Sequence, residues 1–126
     1  MQKAPTSIHY DRTEKCLTLV WQDQKKDVFS AEFLRVHSPS AEVRGHGVGQ
    51  EVLQVGKRNV AINGLEQAGR YALKIIFDDG HDSGLYDWGY LRKLGDNYEQ
   101  IWQQYLNKLE ESGQSRDSMF ISVKQL

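Results

Sequence analysis

The chain has 126 residues, enough for one domain whose hydrophobic core closes without disulfides or metal. Sixteen basic and seventeen acidic residues nearly cancel, which argues against a general nucleic-acid binder, because that function needs a basic face to displace counterions. A single cysteine, Cys16, rules out an intrachain disulfide and a thiolate-rich zinc or cluster site, and no stretch approaches the ~18 apolar residues of a membrane span.

In chain order, "MQKAPTS" has no apolar signal segment, so a reducing cytoplasm is the expected compartment. "SIHY" and "CLTLVW", rich in β-branched and aromatic residues, flank the polar "DRTE" and predict a hairpin. "QDQKKD" turns the chain into a short "VF". Ser30 is a good N-cap for "AEFLRV", a helix of one or two turns that places Phe33 and Leu34 inward, and Pro39 closes it. From Ser38 to Gly56 the sequence reads as irregular, with "RGHGVG" its most flexible part.

"NVAINGLEQAGRYALKIIF" predicts two strands around "EQAG". In the second, Tyr71, Leu73, Ile75 and Phe77 share one face, with Arg70, Ala72 and Lys74 on the other. Leu85, Trp88, Leu91 and Arg92 fit a short helix ending near Gly95, with Asp82 or Ser83 as its cap. Asp96 followed by Glu99 resembles a capping box for a last helix. That helix carries Tyr98, Ile101, Trp102, Tyr105 and Leu109 as an apolar stripe and stops at Gly113. "MFISV" in the tail reads as a loose end or a final strand. The expected fold is α+β: a single domain with an antiparallel sheet, late helices packed on it, a core at about 7–112 and a tail at 113–126.

Several motifs carry possible chemistry. Gly45, Gly47 and Gly49 in "GHGVG" match neither the dinucleotide fingerprint nor the Walker spacing, which leaves a surface loop. "HYD", His9 to Asp11, is half of a two-histidine, one-carboxylate iron site, but Asp11 already serves to open a turn. There is no G-x-S-x-G elbow, and Asp78, Asp79 and Asp82 lack the spacing of a calcium loop. Tyr86, Trp88 and Tyr90 read as core packing before they read as a stacking platform. "FDDGHDSGLYDW" is the richest stretch. Gly80 and Gly84 suit a sharp corner after a strand, and that corner gathers Asp79, His81 and Asp82 at a strand end.

The segments "FLRVHSPSAEVRGHG" and "GRYALKIIFDDGHDSGLYDWGYLRKL", in that order, resemble a small bacterial domain family related to the N-terminal domain of γ-butyrobetaine dioxygenase. In the dioxygenases this domain precedes the catalytic jelly roll and holds zinc with three cysteines and one histidine. The resemblance aligns that histidine with His81 and the cysteines with Ser38, Ser40 and Val43. Serine is a poor zinc ligand and valine is none, so no metal site is expected. The iron-binding catalytic domain has no counterpart in this chain. Related domains fused to P-loop scaffold proteins of iron–sulfur cluster assembly imply a binding or adaptor role.

The expectation is a non-enzymatic cytoplasmic binding module without cofactor, acting through a protein partner such as an iron–sulfur assembly or P-loop carrier protein. Neither nucleic acid nor membrane is expected as a partner. Its candidate surface is Ser38, Ser40, His46, Asp79, His81, Asp82 and Tyr86, with a hydrogen bond from His81 toward Ser38–Ser40 standing in for coordination. One alternative is a metal-binding accessory protein using His81 with His37 or His46 for zinc or iron. Another is an accessory domain of an oxygenase-type enzyme with substrate near His81.

Overall fold

The computed structural model describes residues 1–45 and 49–117. Strands β1 (Ser7–Asp11) and β2 (Cys16–Val20) form the expected hairpin, with Tyr10 opposite Leu17. Asp11 sets the reversal: its Oδ1 accepts from the amides of Thr13 at 2.9 Å and Glu14 at 3.0 Å. β3 (Lys26–Ser30) is longer than the two residues expected and pairs along the whole of β2. Alternation turns Leu17, Leu19 and Phe29 inward together with Asp27, and leaves Val28 outside, 50% exposed. The buried Asp27 carboxylate is tolerated because Trp21 Nε1 donates to it at 2.7 Å and Lys25 Nζ lies 3.1 Å away.

Ser30 caps α1 (Ala31–Val36), its Oγ accepting from Phe33 N at 3.0 Å. Phe33 and Leu34 are fully buried, as expected. Glu32 and Arg35 are buried as well, each against an opposite charge: Arg116 for the first and Asp79 for the second. The region expected to be irregular holds one further helical turn, α2 (Ala41–Arg44), which starts at Ser40.

The fold is α+β with antiparallel strands, as expected, but the strands form two sheets, the second ordered β4 (Ile62–Ala68), β5 (Ala72–Phe77), β6 (Leu85–Asp87). Its first turn falls at residues 69–71 rather than on "EQAG", because Glu66 and Gln67 keep pairing with Lys74 and Leu73 and Gly69 supplies the left-handed φ of 57°. Tyr71 therefore sits in the turn, 66% exposed, apart from the buried row of Leu73, Ile75 and Phe77. Leu85–Asp87, expected to begin a helix, is strand. Leu85 points out and Tyr86 in, a period-2 pattern too short to separate from helical spacing by sequence.

Helix α3 (Trp88–Asp96) then starts from Asp87, whose Oδ1 accepts from Tyr90 N at 2.7 Å; neither Asp82 nor Ser83 is its cap. α4 (Tyr98–Glu111) has Asn97 at its N-cap with no side-chain bond. Asp96 makes no capping box; it accepts from Lys25 and pairs with Arg92. On the stripe, Tyr105 and Leu109 are buried, while Tyr98, Ile101 and Trp102 are half-buried. Gly113, at φ 65°, ends the helix as expected, and "MFISV" lies outside the described residues.

Leu17 and Phe29 of the first sheet, Ile75 and Phe77 of the second, Phe33 of α1 and Leu91 of α3 belong to one core. The chain after α4 returns to this body. Gly56 N donates to Ser115 O at 3.0 Å and Arg58 N to Arg116 O at 2.9 Å. The Arg116 guanidinium then meets Glu32 through two bonds of 2.6 and 2.8 Å and lies 5.0 Å from the Trp102 ring centroid.

Candidate functional site

The corner after β5 is built by its backbone. Gly80 takes a φ of 89°, Phe77 N donates to His81 O at 3.0 Å, and Asp78 Oδ1 accepts from Ala61 N at 3.1 Å. This turns the His81 ring under the end of α1. Its Nε2 lies 2.8 Å from Ser38 Oγ and its Nδ1 3.1 Å from Glu42 Oε2. Ser40 N also donates to Ser38 Oγ, at 3.3 Å. Gly84 makes the approach possible, since a Cβ there would overlap Ser38 Oγ outright and press on Pro39 Cδ at 3.2 Å.

Asp79 and Tyr86 belong to the same corner. Asp79 Oδ1 accepts from His81 N at 3.2 Å, and its Oδ2 receives Arg35 Nε at 2.8 Å and Lys57 Nζ at 2.6 Å. The Tyr86 hydroxyl donates to Leu34 O, and burial pushes that phenol far above its ordinary range. Asp82 is exposed, and His46 lies outside the described residues.

Ser38, Ser40, His81 and Tyr86 are 1%, 6%, 6% and 0% exposed. They hold α1, α2 and the second sheet together, and are closed to direct contact with a partner. Among the described residues of the expected surface, the corner exposes Asp79 and Asp82. The line Ser38–His81–Glu42 has the connectivity of a serine–histidine–carboxylate triad. Its packing is different: Ser38 is 1% exposed and lies so close to Gly84 that any side chain there would overlap its Oγ, so the three groups are packed as a structural contact.

His37 does not join His81. Its Nδ1 lies 2.8 Å from Phe33 O, its ring packs on Phe33 at 4.6 Å, and burial holds its pKa below 6.5. Among the described residues no three His, Cys, Asp or Glu side chains are grouped to hold a metal ion.

Burial alone would raise the Asp79 carboxyl, but Lys57, the His81 amide and Arg35 outweigh it and hold its pKa at about 2, against 3.8 for a free side chain. A depressed carboxyl stabilises the fold above its unfolded pKa, and that contribution is lost as pH falls through the folded value. The wild-type protein is therefore expected to lose more stability than Asp79→Asn between about pH 4 and about pH 2. Urea midpoints measured across that window check this, and parallel pH profiles would refute it.

A recess with no direct sign in the sequence lies beside the α1–α2 turn, with Ser38 in its lining. Val36 and His37, Val43 and Arg44 of α2, the 52–54 segment, Tyr90 of α3, and Ile101, Tyr105 and Lys108 of α4 enclose about 520 Å³. Its aromatic posts are fixed. Tyr90 OH donates to His37 O at 2.6 Å and Tyr105 OH to Gln54 O at 2.7 Å. Burial raises both phenols, that of Tyr105 to about 12, so both remain neutral donors. The walls come from separate parts of the chain, and the only hints were the aromatic Tyr90 and the stripe on α4.

A family model described as gamma-butyrobetaine hydroxylase-like, N-terminal, matches residues 8–92. Similar solved structures include an NMR solution structure 48% identical, with TM-score 0.83, covering 100% of this chain and 99% of that one. A second NMR solution structure is 39% identical, with TM-score 0.80, covering 99% of this chain and 94% of the other. A crystal structure of a protein of unknown function in the DUF971 family, from Acidithiobacillus ferrooxidans ATCC 23270, is 28% identical with TM-score 0.61, covering 72% of this chain and 91% of that one. No curated protein matches the sequence.

Proposed function

The chain belongs to the gamma-butyrobetaine hydroxylase-like N-terminal family, and we propose that it is a non-catalytic binding module working through a protein partner. The observation that carries this reading is the recess beside the α1–α2 turn. Its volume, about 520 Å³, is that of a small binding pocket, and its walls are largely apolar. Val52 in its wall is 52% exposed, and Val55, three residues along the same segment, is 40% exposed. An apolar hollow with an exposed valine in its wall suits a side chain inserted by a second protein. The buried corner at His81 supports the recess by fixing the end of α1 and the start of α2. The partner class is the one the family resemblance implies, an iron–sulfur assembly or P-loop carrier protein.

The test is affinity capture from native lysate with Val52→Asp, and with Val28→Asp as control. Val28 is as exposed as Val52 but lies on the outer face of the first sheet. The captured protein should disappear with Val52→Asp and persist with Val28→Asp. Capture retained by both variants places the interface elsewhere. A specific partner of another class would overturn the partner assignment alone.

A further inference from the structure

We infer that the recess takes an acidic segment of the partner, one large apolar side chain flanked by carboxylates; this rests on the binding role proposed for the recess. The floor supplies apolar contact through Val36, Val43, Leu53 and Ile101. The charges at its edge are asymmetric. Arg44 on α2 and Lys108 on α4 line it from two sides, and Glu51 is the only carboxylate among its described lining residues. Both cations are solvent-exposed, and neither forms an ion pair with a described residue.

Arg44 is held in place rather than free, with its guanidinium carbon 5.2 Å from the Tyr90 ring centroid. The whole chain carries a net charge of -1, so this local excess of positive charge runs against the average of the surface. An anchor that fills the floor would leave its neighbouring residues beside Arg44 and Lys108. Carboxylates there gain, and ammonium groups are repelled. Exposed Val55, three residues from the lining residue Val52, favours a peptide over a free small acid, because an occupant confined to the recess would leave Val55 uncovered.

The experiment uses the ¹⁵N-labelled full chain and three blocked peptides: Glu-Glu-Phe-Glu-Glu, Lys-Lys-Phe-Lys-Lys and Glu-Glu-Ala-Glu-Glu. The acidic phenylalanine peptide should shift the amides of Val43, Leu53, Ile101 and Tyr105. Replacing its phenylalanine by alanine should weaken binding at least ~10-fold, the behaviour of an interface anchor. Arg44→Glu combined with Lys108→Glu should weaken it by about as much and reverse the preference toward the lysine peptide, with wild-type binding falling as salt rises.

Both side chains are solvent-exposed and outside any ion pair with a described residue, so the double variant should fold, which its unperturbed amide spectrum elsewhere would confirm. Equal binding of the lysine and glutamate peptides to the wild type overturns the inference, as does indifference to the charge reversal. If the recess amides still shift in those cases, the binding role survives. An absence of shifts with the acidic peptide overturns the inference on its own, and the capture experiment with Val52→Asp then decides the role separately.

Discussion

Replacing Phe33 by alanine is expected to remove about 3–5 kcal/mol of stability, the range for truncating a fully buried large aromatic side chain. Phe33 is 0% exposed and sits where three parts of the chain meet. Its ring stacks on Tyr98 of α4 with centroids 4.1 Å apart, and tilts against Phe29 of β3 at 5.9 Å and His37 at 4.6 Å. A cavity bounded by a strand and two helices cannot collapse without moving one of them, which keeps the cost high.

Trp102 is the largest side chain of the α4 stripe. Trp102 is half-buried and 6.3 Å from Phe33, so Trp102→Ala should cost less than Phe33→Ala. Urea denaturation of both variants, with slopes checked for constancy, measures the difference. A loss below about 1 kcal/mol for Phe33→Ala, typical of surface substitutions, would mean α4 is not docked on α1 as described.

Gly84→Ala is expected to destabilise by about 1–3 kcal/mol through overpacking, and the cost should depend on Ser38. The added methyl would overlap Ser38 Oγ and press on Pro39 Cδ at 3.2 Å. Ser38→Ala alone should also cost about 1–3 kcal/mol, because it leaves the buried His81 Nε2 without its partner. Combining the two removes the worst overlap, so the double variant should lose less than the sum of the single losses. A double-mutant cycle measures that coupling directly. Additive losses would show that the methyl and the hydroxyl do not share the same space. Gly80→Ala serves as contrast: a Cβ there meets nothing within 4 Å, and only its φ of 89° opposes the change.

The parts of the fold readable from sequence are those where one local signal dominated. Asp11 at the head of a turn, Ser30 before "AEFLRV" and Gly113 after the last helix each act within four residues, and each does what its chemistry suggests. The misread parts had weak or competing local signals. Leu85–Asp87 is too short for period 2 to beat period 3.6, and α2 offers only Val43 as a buried residue.

The contact between His81 and Ser38 joins residues 43 apart, and it was accessible only through the family resemblance. Burial of that pair was not anticipated, because glycines beside aspartates and histidine read as a polar mouth. In the structure Gly84 is there for close packing. The recess has no linear signature at all, since separate elements must already be in place before it exists.

The Arg116–Glu32 bridge has a consequence for where this folding unit ends. A chain shortened after Gly113 would retain strands β1–β6 and helices α1–α4, yet Glu32, 5% exposed, would lose both guanidinium bonds, and residues 56–58 would lose two backbone partners. Stranding a carboxylate in the interior costs more than trimming a tail normally does. The folding unit therefore runs at least to Arg116, past its last helix, and a shorter fragment should open first around Glu32 at the start of α1 and residues 56–58, rather than fray from its new terminus.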